Sequence, residues 1–156
     1  MTTTNLYHEI LKCEPDAQGW RLWQSKRLKV GKDCYIHQSV VFGNKVTLGD
    51  NVTLFDGVTL ESNCRVGSNT VIGHDSYIKA LTEIGEGVFI YPDCHIGAGC
   101  SIGEYTEIYP NCHMGNRVIM GIWVKVFPDA MIGNDVVLGN WDQIEHGAIL
   151  KGKDAK

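Results

Sequence analysis

From Val30 to Ile144 every sixth residue of the chain is apolar. The column reads Val30, Ile36, Phe42, Leu48, Leu54, Leu60, Val66, Ile72, Ile78, Ile84, Ile90, Ile96, Ile102, Ile108, Met114, Met120, Val126, Ile132, Leu138 and Ile144, twenty positions without an insertion or deletion. A period of six matches neither the 3.6 of an amphipathic helix nor the 2 of a long half-buried strand. It points to a stack of identical short units, each turning one side chain into a shared interior.

A second column follows four residues behind the first: Cys34, Val40, Val46, Val52, Val58, Cys64, Thr70, Ser76, Thr82, Val88, Cys94, Cys100, Thr106, Cys112, Val118, Val124, Ala130, Val136, Asp142 and Ala148. All are small except Asp142, which is expected to mark where the regular interior frays. Five of the six cysteines stand in this column, where Val and Thr also stand, and none belongs to a CxxC pair. They are expected to be reduced, buried, small hydrophobes rather than ligands or bridges, with Cys94 and Cys112 the one pair stacked closely enough to bridge if oxidised.

An apolar residue, a frequent Gly, two turn residues and a small residue form the hexapeptide pattern of the left-handed parallel β-helix, and residues 30–150 resemble that superfamily throughout. The resemblance implies an all-β, left-handed parallel β-helix with three hexads per coil, roughly 6.7 coils and roughly 30 Å tall at one strand spacing per coil. Residues 1–29 lie outside the repeat and are expected to form a capping segment of short helix, loop and strand. In it Thr4 would cap a helix running to about Cys13, and Trp20, Leu22 and Trp23 would close the first coil. Residues 151–156 form a polar tail.

With eighteen residues per coil, positions eighteen apart stack on the outside. One column is Gly31, Gly49, Gly67, Gly85, Gly103, Gly121 and Gly139, expected to form a flat wall that a ligand or another backbone could approach, with N–H groups able to face an oxyanion. Another carries Phe55, Tyr91, Tyr109 and Phe127 beside Pro92, Pro110 and Pro128, with Phe89 adjoining. A third places Tyr105, Trp123 and Trp141 where earlier coils hold Asp33, Asn51, Asn69 and Gly87. Phe55, Tyr91, Tyr109, Phe127, Tyr105, Trp123 and Trp141 are expected at a subunit interface, because an apolar stripe of this size is costly to leave in water; cover by the chain's own first thirty residues, or external stacking that only stiffens the coils, are the alternatives.

The chain of 156 residues fits one domain, and its net charge of −4 includes no basic arm, so nucleic acid is not an expected partner. Neither a signal peptide nor an apolar run of membrane-spanning length is evident, and a cytoplasmic location is expected. No face carries the regular Thr-x-Thr array of an ice-binding surface.

The superfamily resemblance also implies a chemistry. Most of its members are trimeric acyltransferases that take an acyl group from coenzyme A or acyl carrier protein in a cleft between subunits, with a histidine as general base. In the UDP-N-acetylglucosamine O-acyltransferases and sugar N-acetyltransferases that histidine is third in its hexad, often followed by an acidic residue. The stretch IGHDSY matches, with Ile72 inward, His74 third and Asp75 fourth. His74 is thus the candidate base and Asp75 the carboxylate that would hold its tautomer, provided that the adjacent side chains do not point apart. His146 in IEHGAI occupies the same place four coils on and is the second candidate. The turn positions themselves offer a plainer explanation for both, since Asp, Asn and His are common in turns.

His95 and His113, eighteen apart, could line a pocket or a metal, or stand as two solvated histidines. The γ-class carbonic anhydrases share the fold, but Lys79 stands where a second metal histidine would, so no metal is expected. No bound cofactor is expected either, with acetyl-CoA or another acyl thioester a possible co-substrate. The reading is a small homotrimeric acyltransferase moving an acetyl or other acyl group to a hydroxyl or amine of a small acceptor, a sugar or nucleotide sugar. The loop that commonly covers the acyl donor and the C-terminal helix have no counterpart in the repeat. The alternative is therefore a non-catalytic trimeric scaffold that assembles through its aromatic ladders.

Overall fold

Each hexad yields one strand of two or three residues that ends on its inward apolar residue, and successive strands fall on three different sheets. Val71–Ile72, Tyr77–Ile78 and Glu83–Ile84 are one such triplet. The computed structural model, which describes residues 5–152, is a left-handed parallel β-helix of three sheets with eight, seven and seven strands. Face one runs from the antiparallel pair Arg21–Trp23 and Lys26–Val30 through Val46–Leu48 and Arg65–Val66 to Val137–Leu138. Face two runs from Tyr35–Ile36 to Gln143–Ile144, and face three from Val41–Phe42 to Ile149–Leu150. Pairing is in register at eighteen, with Tyr77 opposite His95 and His95 opposite His113.

Both inward columns are buried, from Ile36 to Ile144 in the first and from Cys34 to Ala130 in the second. The second column is more than small. The hydroxyls of Thr70, Ser76 and Thr82 donate to the carbonyls of Gly85, Tyr91 and Gly97, each fifteen residues ahead, at 2.8–3.1 Å. The thiols of Cys64, Cys94, Cys100 and Cys112 reach the equivalent carbonyls of Lys79, Tyr109, Gly115 and Phe127 at 3.1–3.2 Å. Cys and Thr therefore interchange because both place a donor under the same turn carbonyl, not only because both are compact. All six cysteines are free thiols.

Each turn of the coils except that at residues 37–40 places one residue in the left-handed region. At the corner between faces one and two these are Asp33, Asn51, Asn69, Gly87, Tyr105, Trp123 and Trp141, with φ of 56° to 67°. Gly57, Asp75, Asp93, Asn111, Asp129 and Gly147 serve the corner between faces two and three, and Lys45, Asn63, Leu81, Gly99, Arg117 and Asp135 the remaining one. Asn, Asp and Gly meet this demand at least cost.

Three expectations are corrected. The glycine column is not open to a ligand: a methyl on Gly67 would come within 2.5 Å of the carbonyl carbon of Gly85, so the neighbouring coil occupies the space. Its amides are also committed, Gly49 to Val66 at 2.8 Å and Gly67 to Ile84 at 2.7 Å, and they leave no donor for an oxyanion. At the N-terminus the cap of the helix Leu6–Leu11 is Asn5, whose side chain accepts from the Tyr7 amide at 3.1 Å; Thr4 lies outside the described residues. The first coil is closed chiefly by Ile10 and Tyr7, both buried, with Trp23 packed against the core, while Leu22 is 64% exposed. The interior does loosen around Asp142, as expected: Val136 and Ala148 are only half-buried and Asp142 is exposed, its carboxylate accepting from the Gly139 amide at 2.7 Å, although strands continue to Leu150.

Candidate functional site

His74 and Asp75 stand at the corner between faces two and three, directly after the buried pair Ile72 and Gly73. The third place of the hexad at this corner has an amide that the coil-to-coil ladder does not use, which is why Pro92, Pro110 and Pro128 are tolerated in the same column. The amide of His74 accordingly has no acceptor among the described residues. Asp75 takes the left-handed conformation at φ 58°, with its amide on the Asp56 carbonyl at 2.9 Å. The left-handed turn brings two adjacent side chains to the same side: His74 Nδ1 lies 3.3 Å from Asp75 Oδ2.

Both side chains remain accessible, at 49% and 62%. With Nδ1 turned to the carboxylate, Nε2 is the nitrogen left for a substrate. Asp93, one coil on, donates its amide to the His74 carbonyl at 3.0 Å, and its carboxylate joins His74 and Asp75 in a group whose ligand atoms lie within 4.8 Å of one another. Such a group could hold a cation, but three exposed acidic and imidazole side chains are common without one. His146 forms a comparable pair through a different route: its Nε2 meets Asp129 Oδ2 at 3.0 Å, and the carboxylate comes from the coil below rather than from the next residue.

Face two, which borders this corner, carries the aromatic residues. Tyr91 and Tyr109 stack with centroids 4.7 Å apart, Tyr109 and Phe127 at 5.4 Å, and Phe89 lies 4.4 Å from Tyr91. Phe55 stands apart from that stack and instead approaches Tyr35 at 6.5 Å. At the opposite corner Tyr105, Trp123 and Trp141 form a second stack at 4.8 and 5.3 Å. Gly87 begins it, because the Tyr105 ring lies where a side chain at 87 would be. The polar strip between the ladders is tied down, with Tyr109 Oη donating to Glu107 at 2.8 Å and Lys125 at 3.7 Å from Glu107.

Face three holds the stacked pair His95 and His113 expected from their spacing, joined by Tyr77, which the sequence reading did not connect to them. Tyr77, His95 and His113 stack one above another, the two imidazoles 4.9 Å apart and 6° from parallel. They line a groove of about 370 Å³ with Lys79, Asn116 and Asn134. Tyr77 Oη donates to Glu61 at 2.6 Å, and this acceptor raises the phenol above its ordinary range. The signal was present in the eighteen-residue spacing of Tyr77, His95 and His113 but not in any local motif.

The family described as bacterial transferase hexapeptide (six repeats) matches residues 45–80 and 81–116. Over those residues the chain carries hexapeptide repeats of that description, and its fold is the left-handed parallel β-helix. Among solved structures, the acetyltransferase domain of PglB from Neisseria gonorrhoeae is 17% identical, with a TM-score of 0.50 over 80% or more of this chain (83%) and 56% of its own. A hexapeptide transferase family protein from Anaplasma phagocytophilum is 16% identical at the same TM-score of 0.50, over 83% of this chain and 72% of its own. PerB from Caulobacter crescentus, determined in complex with CoA and GDP-perosamine, is 27% identical with a TM-score of 0.49, over 80% of this chain and 56% of its own. The chain thus spans 56% of the length of two of these three structures. No curated protein sequence matches it significantly.

Proposed function

We propose that the protein is an acyltransferase that moves an acetyl or other acyl group from a thioester to a hydroxyl or amine of a small acceptor, with His74 as general base. The observation that carries this reading is the 3.3 Å approach of His74 Nδ1 to Asp75 Oδ2, which leaves Nε2 free at an accessible corner. Nε2 takes the proton of the acceptor as its oxygen or nitrogen attacks the thioester carbonyl. The tetrahedral intermediate then collapses, the carbon–sulfur bond breaks, and the departing thiolate takes that proton from the imidazolium. Asp75 stabilises the charge on the ring while the proton is held there. The uncommitted amide of His74 is a donor suited to the developing oxyanion, a part the glycine column does not fill.

Coenzyme A is the donor that the superfamily resemblance suggests, and a sugar or nucleotide sugar the acceptor. The bare corner needs a second wall to exclude water, and the aromatic surface of face two supports a homotrimer in which a neighbouring copy supplies it. Titration calorimetry with acetyl-CoA, paired with a transfer assay over sugar amines and alcohols, tests the reading. Saturable binding retained in His74→Ala with transfer abolished is the expected result. Absence of binding at millimolar acetyl-CoA and of transfer to any acceptor would overturn it, and favour the scaffold.

A further inference from the structure

Three cations converge on face one of a chain whose net charge is −4. Lys29 leaves the strand Lys26–Val30, Arg65 leaves Arg65–Val66, and Thr47 of Val46–Leu48 lies between them in register, facing Lys29 on one side and Arg65 on the other. Lys45 adds its ammonium from the left-handed corner at φ 58°. Together with Trp20, Asn63, Leu81 and Glu83 they line a groove of about 540 Å³.

Surface cations usually find a carboxylate, and these three do not. Among the described residues none of Lys29, Lys45 and Arg65 is in an ion pair, although Glu83 stands opposite Arg65 on the next strand. Lys29 is held in place, its Nζ 4.5 Å from the centre of the Trp20 ring. Trp20 is fixed in turn by its amide on Asp16 Oδ1 at 2.9 Å. Lys29 and Arg65 are separated by two strand spacings, roughly 10 Å, with a hydroxyl at the midpoint. That span admits an oxyanion contacted from both ends and from below. Glu83 closes one edge of the groove, so three positive groups face one negative one.

We propose that this groove is a binding site for a phosphorylated small molecule, with the phosphate over Thr47 between Lys29, Lys45 and Arg65. The site lies on face one, away from the corner of His74, and does not rest on acyl transfer. Whether the phosphate belongs to a nucleotide or to a simpler ester is set by what fills the groove beside Leu81 and Trp20.

The full chain, titrated with inorganic pyrophosphate, with ADP and with ribose 5-phosphate by calorimetry at low and high salt, provides the test. One saturable site per chain is expected, weakening with salt, its affinity reduced at least about tenfold in Arg65→Glu and in Lys45→Glu, the scale of one lost charge-assisted contact. An excess of acetyl-CoA should leave this binding undiminished, which separates the site from the proposed active site, whereas competition by acetyl-CoA would place the phosphate in the donor site and overturn the proposal. Tighter binding of ADP than of pyrophosphate would identify a nucleotide as the occupant, and equal binding a phosphate alone. No saturable binding of any of the three, or undiminished binding by a folded Arg65→Glu, Lys45→Glu double variant, would overturn the proposal; thermal unfolding of that variant verifies its fold.

Discussion

His74 and Asp75 are neighbours in sequence whose side chains meet, Nδ1 to Oδ2 at 3.3 Å, because Asp75 is the left-handed residue of its corner. The contact orients the ring without burying it. If it serves catalysis, Asp75→Asn keeps the turn, which Asn also suits, yet removes the charge. Transfer is expected to fall by about ten- to a hundredfold in kcat with KM little changed, the range of a general-base contribution partly lost. His74→Ala should lose nearly all transfer. Equal kcat in wild type and Asp75→Asn would exclude the pairing from the mechanism.

Leu81 offers a test of corner energetics. It is left-handed at φ 63° and 62% exposed, in a column where Asn63 and Gly99 precede and follow it. Leu81→Asn is expected to stabilise the fold by about 0.5–1 kcal/mol, since a branched side chain strains a conformation that Asn adopts readily. Trp123→Asn relieves similar strain but breaks stacking with Tyr105 and Trp141, each contact worth about 0.5–1.5 kcal/mol, so it should not stabilise. Urea unfolding of the two variants distinguishes strain relief from lost packing.

Buried thiols predict an alkaline weakness. Burial pushes the Cys34, Cys64 and Cys100 thiols up from their ordinary range, and the neighbouring Cys112 thiol together with burial lifts Cys94. Unfolded thiols ionise near pH ~8.5, so above that pH the folded state binds more protons than the unfolded one. Stability is then full below pH ~8.5 and falls as pH rises through the folded values, by up to about 1.4 kcal/mol per pH unit for each thiol involved. Urea midpoints at successive pH values should drop on the alkaline side, and less so in Cys64→Thr, which keeps a donor for the Lys79 carbonyl. A flat profile would refute the account.

The same burial protects the thiols from reagents. Cys13 is half-buried and the other five cysteines are buried. A thiol reagent added to the native protein is expected to label Cys13 quickly and the rest only at the rate of unfolding. Rapid labelling of more than one thiol would show that the coils open locally.

Face two predicts assembly. Tyr109→Arg replaces the central ring between Tyr91 and Phe127 with a flexible cation, and Trp141→Asp removes the outermost ring of the corner stack. If these surfaces join copies, light scattering should show a homotrimer for wild type and smaller species for Tyr109→Arg. Wild type that remains a monomer at high concentration would leave the ladders as stiffeners of the coils.

Much of the fold is legible in the chain because the interior of a β-helix repeats. One inward residue per hexad is a local requirement met twenty times, so Ile72 or Ile108 can be placed without knowing any long-range contact. Stacking is legible for the same reason: the spacing of eighteen puts Tyr91 under Tyr109 and His95 under His113. Function is read less directly, since the third and fourth hexad places serve turns and chemistry alike, and His74 and Asp75 are the residue types either use would select.

The sequence by itself determined the period, the inward columns and the ladders, because each depends on distances along the chain that a constant coil length converts into neighbours in space. Only the tertiary structure decided how outward groups face one another. The glycine column looks open in sequence, yet the next coil fills it, because close approach of two backbones leaves no trace in spacing alone. The meeting of His74 with Asp75 rests on one positive φ, and the convergence of Lys29, Lys45 and Arg65 on residues from three successive coils brought together across face one. Direction of a side chain and company from other coils are set by backbone torsion and packing, and a repeat fixes position without fixing either.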